Sequence, residues 1–458
     1  MKIGNDQYVI NDYIVRMNSI TEKSKFRIET INPKDYLTTD RLDLLIKLIY
    51  ISSYDQGIDL SYAKELYLRH IECFSAGTFV EPGKEEKNSK EAFIKHFNEL
   101  LDAYRTNKFD KRRELIPLDR KGILLDGAHR LSVAIHYNVE LDAIRLEDVT
   151  GYVYDVAFFR QRKLPEHDIY MAIRKYASVC KDCYAACFWP RGVYEHGKYV
   201  DAMNILKEAV NVIDVQEITL DKLALRNFMI QIYGHQEWVG SEKDGYYGVN
   251  GKVEPCYKKG TPLMLVVFQG KDLEQVVKVK SQIRDCFGIG NHSVHITDNN
   301  IETMQVIDLL MDITTRKCLN QVDIALLKEI QNKEGRFMDS YSGEVIMDPE
   351  ETLRLFGYNS NEICICESLY GSEIMHNPEN FFSFGGKKLF TVDILAGHSN
   401  LRISGKAKIK KKVVTKFKNV QRKTSLLGCR IKQKTIVLLD KVGILKVFVR
   451  IKRAIFKK

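Results

Sequence analysis

The spacing of apolar positions divides most of the chain into helical and extended segments. Apolar side chains recur at helical spacing around Arg41–Tyr50, Ala63–Phe74 and Lys90–Thr106, which predicts three helices. Between the second and third, the polar stretch from Thr78 to Lys90 carries Pro82-Gly83 and reads as a loop. The short apolar run Ile123–Leu125 predicts a strand, and Ala128, Leu131, Ala134 and Ile135 behind it predict a helix, with Gly127 as the bend between them. Further along, predicted strands at Tyr184–Trp189, Val212–Ile218 and Pro262–Phe268 alternate with helices at Lys198–Val210, Leu220–Tyr233, Asp272–Phe287 and Ile301–Met311. Such alternation describes an α+β sheet domain. A last, smaller pattern has a helix over Pro349–Phe356 capped by Asp348, and strands at Ile363–Cys366 and Leu389–Leu395.

At 458 residues the chain is too long for one ordinary core, and 45% hydrophobic with 10% aromatic residues marks it as folded. The expected organisation is a multi-domain α+β protein with domains at 1–150, 181–320 and 335–400 and a tail at 401–458. Charge singles out the tail. It holds twenty Lys and Arg against one acid, Asp440, a net +19 that leaves the first 400 residues at −9 out of the chain's +10. Apolar runs such as Ile436–Leu439 and Ile444–Phe456 interrupt those charges, a composition suited to an anionic membrane surface and, failing that, to nucleic acid or to plain solvation. The opening residues Met1–Asp6 lack an apolar leader core and no run of about 18 apolar residues occurs, so a cytoplasmic protein, peripheral at the inner membrane face, is expected. The ten cysteines include Cys180/Cys183 and Cys364/Cys366 but no second pair at zinc-site spacing, so reduced thiols and no structural metal are expected.

The candidate chemistry centres on Asp126-Gly127-Ala128-His129-Arg130. A glycine bend delivering an imidazole and a guanidinium into the first turn of a helix builds an anion site, because the first amides and the positive dipole end already favour negative charge. The plainer alternative makes Asp126 an N-cap accepting the amide of Ala128 or His129 and leaves Arg130 on the surface. In the preceding loop, Glu81 is a candidate general base, with Asp126 the other carboxylate that could take the proton, provided that either comes within hydrogen-bond reach of an acceptor hydroxyl; the plainer alternative leaves Glu81 in a solvated loop.

The Asp-Gly-x-His-Arg string resembles the signature of the ParB and sulfiredoxin superfamily. That resemblance implies a loop holding nucleotide phosphates: Gly127, His129 and Arg130 on the β and γ phosphates, Asp126 orienting them or placing Mg²⁺, and ATP or another nucleoside triphosphate as the ligand. A second resemblance rests on Pro262–Gly270, Ile283–Gly288 and His295-Ile296-Thr297-Asp298 with Glu302, which look like the second half of nucleoside diphosphate kinase. It implies a ferredoxin-like or nucleoside-diphosphate-kinase-like sheet domain, with Arg284 contacting phosphate and His295 receiving the phosphoryl group. The chain departs from that family at Trp189-Pro190-Arg191, where Lys-Pro-Asp is usual, and at His292, where Asn is usual. The segment 335–400 resembles nucleotidyltransferase-like modules, but Cys364-Ile365-Cys366 stands where paired acids would hold Mg²⁺, so an inactive module is implied.

The order of these segments resembles proteins of bacterial capsule and surface-polysaccharide pathways. The function implied is an ATP-dependent kinase or phosphotransferase acting on a sugar, polyol or glycan hydroxyl. The alternatives are a ParB-type nucleotide-switched DNA-binding protein and a noncatalytic nucleotide-sensing scaffold.

Overall fold

The computed structural model describes residues 2–319, apart from short gaps at 4–7, 10–11, 22–23, 58–59, 107, 109–114 and 242–243, and parts of 335–395. The basic tail at 401–458, the strand expected at Ile363–Cys366 and the Cys364/Cys366 pair lie outside the described residues. The chain forms a mixed helix and sheet structure. It divides into two compact units, one built from Met1–Gln56 and Ala63–Ile169, the other from Tyr170–Ser404 with Gly57–Tyr62.

In the first unit, helix α1 (Leu42–Gln56) is buried on every side from Leu42 to Ile51, as its nearly unbroken apolar sequence requires. Helices α2 (Ser61–Phe74) and α3 (Lys90–Arg105) follow, the latter capped by the Ser89 hydroxyl, which accepts the Ala92 amide at 3.1 Å. The three-stranded sheet consists of β1 (Phe26–Ile31), β2 (Ile116–Asp119) and β3 (Leu141–Leu146), with β3 central, antiparallel to β1 and parallel to β2. Parallel neighbours need a crossover. Helix α4 (Ala128–Tyr137) supplies it, burying Leu131, Val133, Ala134 and Ile135 and packing against α1.

Ile123–Leu125 is not the strand that its apolar character predicts; the sheet strand is Ile116–Asp119. The fully buried Asp119 carboxylate causes the difference. Its Oδ1 accepts the amides of Lys121 and Ile123 at 2.8 and 2.7 Å, and its Oδ2 accepts that of Gly151 at 2.9 Å. The chain therefore turns at once and doubles back along β2, with the Leu125 amide donating to the Pro117 carbonyl at 2.9 Å. Only the isolated Leu118–Leu124 bridge remains of a strand pairing.

The second unit opens on a four-stranded sheet of β4 (Cys183–Phe188), β5 (Asn211–Ile218), β6 (Leu263–Gln269) and β7 (Val294–Ile296), in the spatial order β5-β6-β4-β7 with every neighbouring pair antiparallel. Helices α5 (His196–Ala209) and α8 (Leu273–Phe287) cover one face, closing a core of Tyr184, Phe188, Met203, Leu206, Phe268, Ile283 and Phe287. Between β5 and β6 lie α6 (Lys222–Tyr233) and α7 (Tyr247–Cys256), and α9 (Asn300–Met311) follows β7 and packs on β4. Asp221, Asp272 and Asn299 cap α6, α8 and α9 through side-chain oxygens, so these helices start one or two residues later than apolar spacing alone predicts, apart from α9. Beyond it, β8 (Gly335–Met338), β9 (Val345–Met347), β10 (Phe381–Phe384) and β11 (Lys387–Phe390) form a second four-stranded sheet, with helix α10 (Pro349–Leu355) opening at Asp348, whose carboxylate accepts the Glu350 amide at 2.9 Å.

Replacing Asp119 by Ala leaves two amides of the turn and the amide of Gly151 without their acceptor. Urea unfolding of Asp119→Ala is expected to show a loss of about 2–4 kcal/mol; a variant as stable as the parent would mean that the turn holds without this carboxylate.

Candidate functional site

Gly127 adopts φ +87°, the left-handed region that favours glycine, and it is Gly127, not Asp126, that caps α4. A Cβ at this position would stand 2.9 Å from both Nη2 of Arg130 and Cδ1 of Ile116. The bend sends the motif into a cavity of about 450 Å³, lined by Asp126, Gly127, Ala128, His129 and Arg130 from the bend and α4, by Glu81, Lys84 and Lys87 from the loop before α3, by Asp43 and Lys47 from α1 and by Arg41 just ahead of it. The structure thus brings together all five first-unit residues expected from sequence: Glu81, Asp126, Gly127, His129 and Arg130.

Sequence reasoning missed Arg41, Asp43 and Lys47. Asp43 accepts a bidentate pair from Arg41, Nε at 2.8 Å and Nη2 at 3.0 Å, and a third bond from Lys47 Nζ at 2.8 Å. All three side chains are at least 94% buried. The signal was present: Asp43 and Lys47 stand four apart in an otherwise apolar helix, and buried charges are tolerated only when paired. Burial works to raise the Asp43 carboxyl, but Arg41 and Lys47 hold it well below the ordinary carboxylate value. Arg41 also donates Nη1 to the Leu124 carbonyl at 2.9 Å, tying α1 to the chain just ahead of the motif.

Glu81 lies in the cavity, but its carboxylate is held by Lys87 at 2.8 Å and Lys84 at 3.3 Å. In this state it organises two lysines. Asp126 is pushed up by burial but brought below the ordinary value by Lys84, Arg130, the Gly127 amide and Lys87. Burial, aided by Lys87, Lys47 and Lys84, drives His129 well below the usual imidazole range, and burial does the same to His70 behind it. Both rings are therefore neutral near pH 7. Among the described residues that line the cavity, the cations Arg41, Lys47, Lys84, Lys87 and Arg130 outnumber the carboxylates Asp43, Glu81 and Asp126. The lining therefore carries a formal surplus of two positive charges at a concave site, a field that attracts a polyanion.

Arg284 and His295 come together in a different cavity, of about 460 Å³, within the second unit. Alternation along β7 puts Val294 and Ile296 into the core beneath α5 and α8 and turns His295 to the opposite face. There its ring stacks on Trp189 at 6.3 Å and meets the edge of Tyr233 at 5.1 Å. His295 Nε2 lies 2.9 Å from Oε1 of Glu302 on α9, a carboxylate that also accepts the Asp298 amide at 2.8 Å. Burial lowers the His295 pKa against the pull of Glu302. Lys252, Lys280 and Arg284 add positive charge, Lys280 paired with Asp298 at 3.0 Å. The Nε of Arg284 is buried with no hydrogen-bond partner among the described residues. His292, which replaces the expected Asn, also lines this cavity and touches Cys256 Sγ at 3.7 Å.

No group of three or more metal-ligating side chains stands together among the described residues. No described helix is long and apolar enough to cross a membrane. No family model, curated protein or solved structure matches the chain.

Removing the charge of Asp43 in Asp43→Asn strands two buried cations and is expected to cost about 3–5 kcal/mol in urea unfolding. Because the folded-state pKa of Asp43 is depressed, its contribution is complete above the unfolded carboxylate pKa and declines as pH falls below about 4. The wild-type chain should lose stability over that acid range and Asp43→Asn should lose less; identical acid limbs would show that another group carries the linkage.

Proposed function

We propose that the chain is a nucleotide-dependent phosphotransferase whose first-unit cavity holds the phosphates of ATP or another nucleoside triphosphate. The carrying observation is the net positive charge of the cavity lining around a glycine bend at a helix N-terminus, where Asp126, Gly127, His129 and Arg130 line the same cavity as Lys84 and Lys87. A ParB- or sulfiredoxin-like assignment of this unit rests on the motif together with that placement.

The mechanism this supports is charge neutralisation and positioning. Arg130, Lys84 and Lys87 would meet phosphate oxygens, and Asp126, kept ionised by its cationic neighbours, suits Mg²⁺ that arrives with the nucleotide, since Mg²⁺ commonly takes one or two carboxylates plus phosphate oxygens. Phosphate oxygens that engage Lys84 and Lys87 would release Glu81, which then takes the acceptor's proton. The acceptor oxygen forms the new bond to the γ phosphorus, the bridging oxygen–γ-phosphorus bond breaks, and the nucleoside diphosphate leaves with that electron pair. A sugar, polyol or glycan hydroxyl remains the proposed acceptor, and an anionic membrane surface the proposed partner of the 401–458 tail.

A second phosphoryl site is favoured by Glu302. The Glu302 carboxylate stands 2.9 Å from Nε2 of His295, and a ring proton held on that side would leave the Nδ1 lone pair as the nucleophile, beside Arg284 and Lys252. The strand order of this sheet, first strand between third and fourth and second at the edge, supports the ferredoxin-like reading that nucleoside diphosphate kinase shares.

Mass spectrometry of the nucleotide co-purifying with the full chain tests the main reading. Arg130→Ala should retain the fold and bind nucleoside triphosphate roughly 10- to 100-fold more weakly; unchanged affinity overturns the assignment. Tighter, salt-dependent binding to duplex DNA than to anionic vesicles would favour the DNA-binding alternative. Nucleotide bound without transfer to any acceptor would favour the scaffold. For the second site, label from γ-labelled triphosphate is expected as an acid-labile adduct that His295→Asn abolishes; label persisting in that variant sinks it.

A further inference from the structure

Tyr67, on α2, is fully buried, its ring packed on Tyr50 at 5.3 Å and Phe97 at 5.1 Å. Its hydroxyl lies 2.8 Å from Nε2 of His129, and among the described residues that nitrogen is its only hydrogen-bond partner. A buried phenolic proton that finds no acceptor carries a desolvation penalty, so the hydroxyl donates and Nε2 accepts. An imidazole that accepts at Nε2 and is neutral holds its proton on Nδ1. An imidazolium would present N–H at both nitrogens and leave the Tyr67 proton pointing at a donor.

The other side of Tyr67 is braced in the same way. His70 Nε2 lies 3.2 Å from Lys47 Nζ, an ammonium with no lone pair, so His70 accepts there and donates Nδ1–H to the Tyr67 carbonyl. A polar relay thus runs from Asp43 through Lys47, His70 and Tyr67 to the motif histidine. No Nδ1 bond is made by His129 among the described residues, and its ring lines the cavity.

We propose that Tyr67 is a positioning residue that fixes His129 as its Nδ1–H tautomer, making the motif histidine a neutral hydrogen-bond donor to an anion in the cavity and not a base. The tautomer follows from the hydrogen bond alone, whereas donation to a phosphate oxygen rests on the phosphotransferase reading. Burial raises the Tyr67 pKa well above the ordinary phenol value, in keeping with a donating hydroxyl.

The test uses the full chain labelled with ¹⁵N-histidine, with His129→Asn assigning the His129 signals in a long-range ¹H–¹⁵N spectrum. A protonated Nδ1 and bare Nε2 are expected in the wild type; a protonated Nε2 overturns the proposal without any variant of Tyr67 having to fold. In Tyr67→Phe, which keeps the packed ring, the tautomer should become mixed, and affinity for inorganic tripolyphosphate should fall about tenfold. An unchanged tautomer in that variant also overturns it. His129→Asn, whose amide N–H stands near the Nδ1–H position, should keep more of the tripolyphosphate affinity than His129→Gln; the reverse order removes the donor role. Should the tautomer be as expected while the wild type binds no tripolyphosphate, the phosphate reading fails and the positioning role of Tyr67 remains.

Discussion

The first unit is organised around one carboxylate held between two cations inside an apolar helix. The side chains of Asp43, Arg41 and Lys47 are almost wholly buried, so none of the three is tolerable without the others. Their geometry is also a mechanical link. Arg41 spends one face of its guanidinium on Asp43 and another on the Leu124 carbonyl, which fixes α1 against the residues that lead into the glycine bend. Lys47 extends the same network to His70 and, through the Tyr67 peptide and ring, to His129. The pairing leaves one buried positive charge over, and the loop lysines add to it. A cavity with that surplus presents a positive field to whatever enters it.

Glu81 fits the same picture. Its carboxylate moderates repulsion between Lys84 and Lys87, and the loop's own backbone bonds, from the Glu81 amide to the Lys87 carbonyl and from the Lys84 amide to the Glu81 carbonyl, keep the three residues together. The second unit reaches a comparable result by different means. There, strand alternation turns a single histidine away from the core, a helix carboxylate orients it, and cations from α7 and α8 line the space beside it. Each unit thus contains a cavity in which a histidine and several cationic side chains stand together.

Much of this was legible in residue order. The helices at Lys90–Arg105, His196–Ala209 and Leu273–Phe287 follow apolar periodicity closely, with capping side chains where Ser89 and Asp272 stand, whereas the helix at Leu42–Gln56 runs past its expected end at Tyr50. The error at Ile123–Leu125 has a definite cause. Three apolar residues satisfy a strand pattern whether they join a sheet or fold back over one, and the decision was made by Asp119, whose carboxylate pulls two amides into a turn. Glu81 was found as a cavity residue from its loop, but its ion pairs depend on side-chain reach across that loop and have no periodicity to betray them.

Residue order by itself determined the local chemistry: a glycine where φ must be positive, an imidazole and a guanidinium in the first turn after it, capped helices, and alternating strands. Such features depend on neighbours a few positions away, which the chain always carries with it. Tertiary structure decided which distant groups share a cavity, that Arg41 and Lys47 stand behind the motif, and that Tyr67 sets the hydrogen bond to His129 across 62 positions. Those choices follow from burial, because the energy of a charge or a hydroxyl taken out of water is fixed by whatever partner packing brings within 3 Å, and separation along the chain does not enter it.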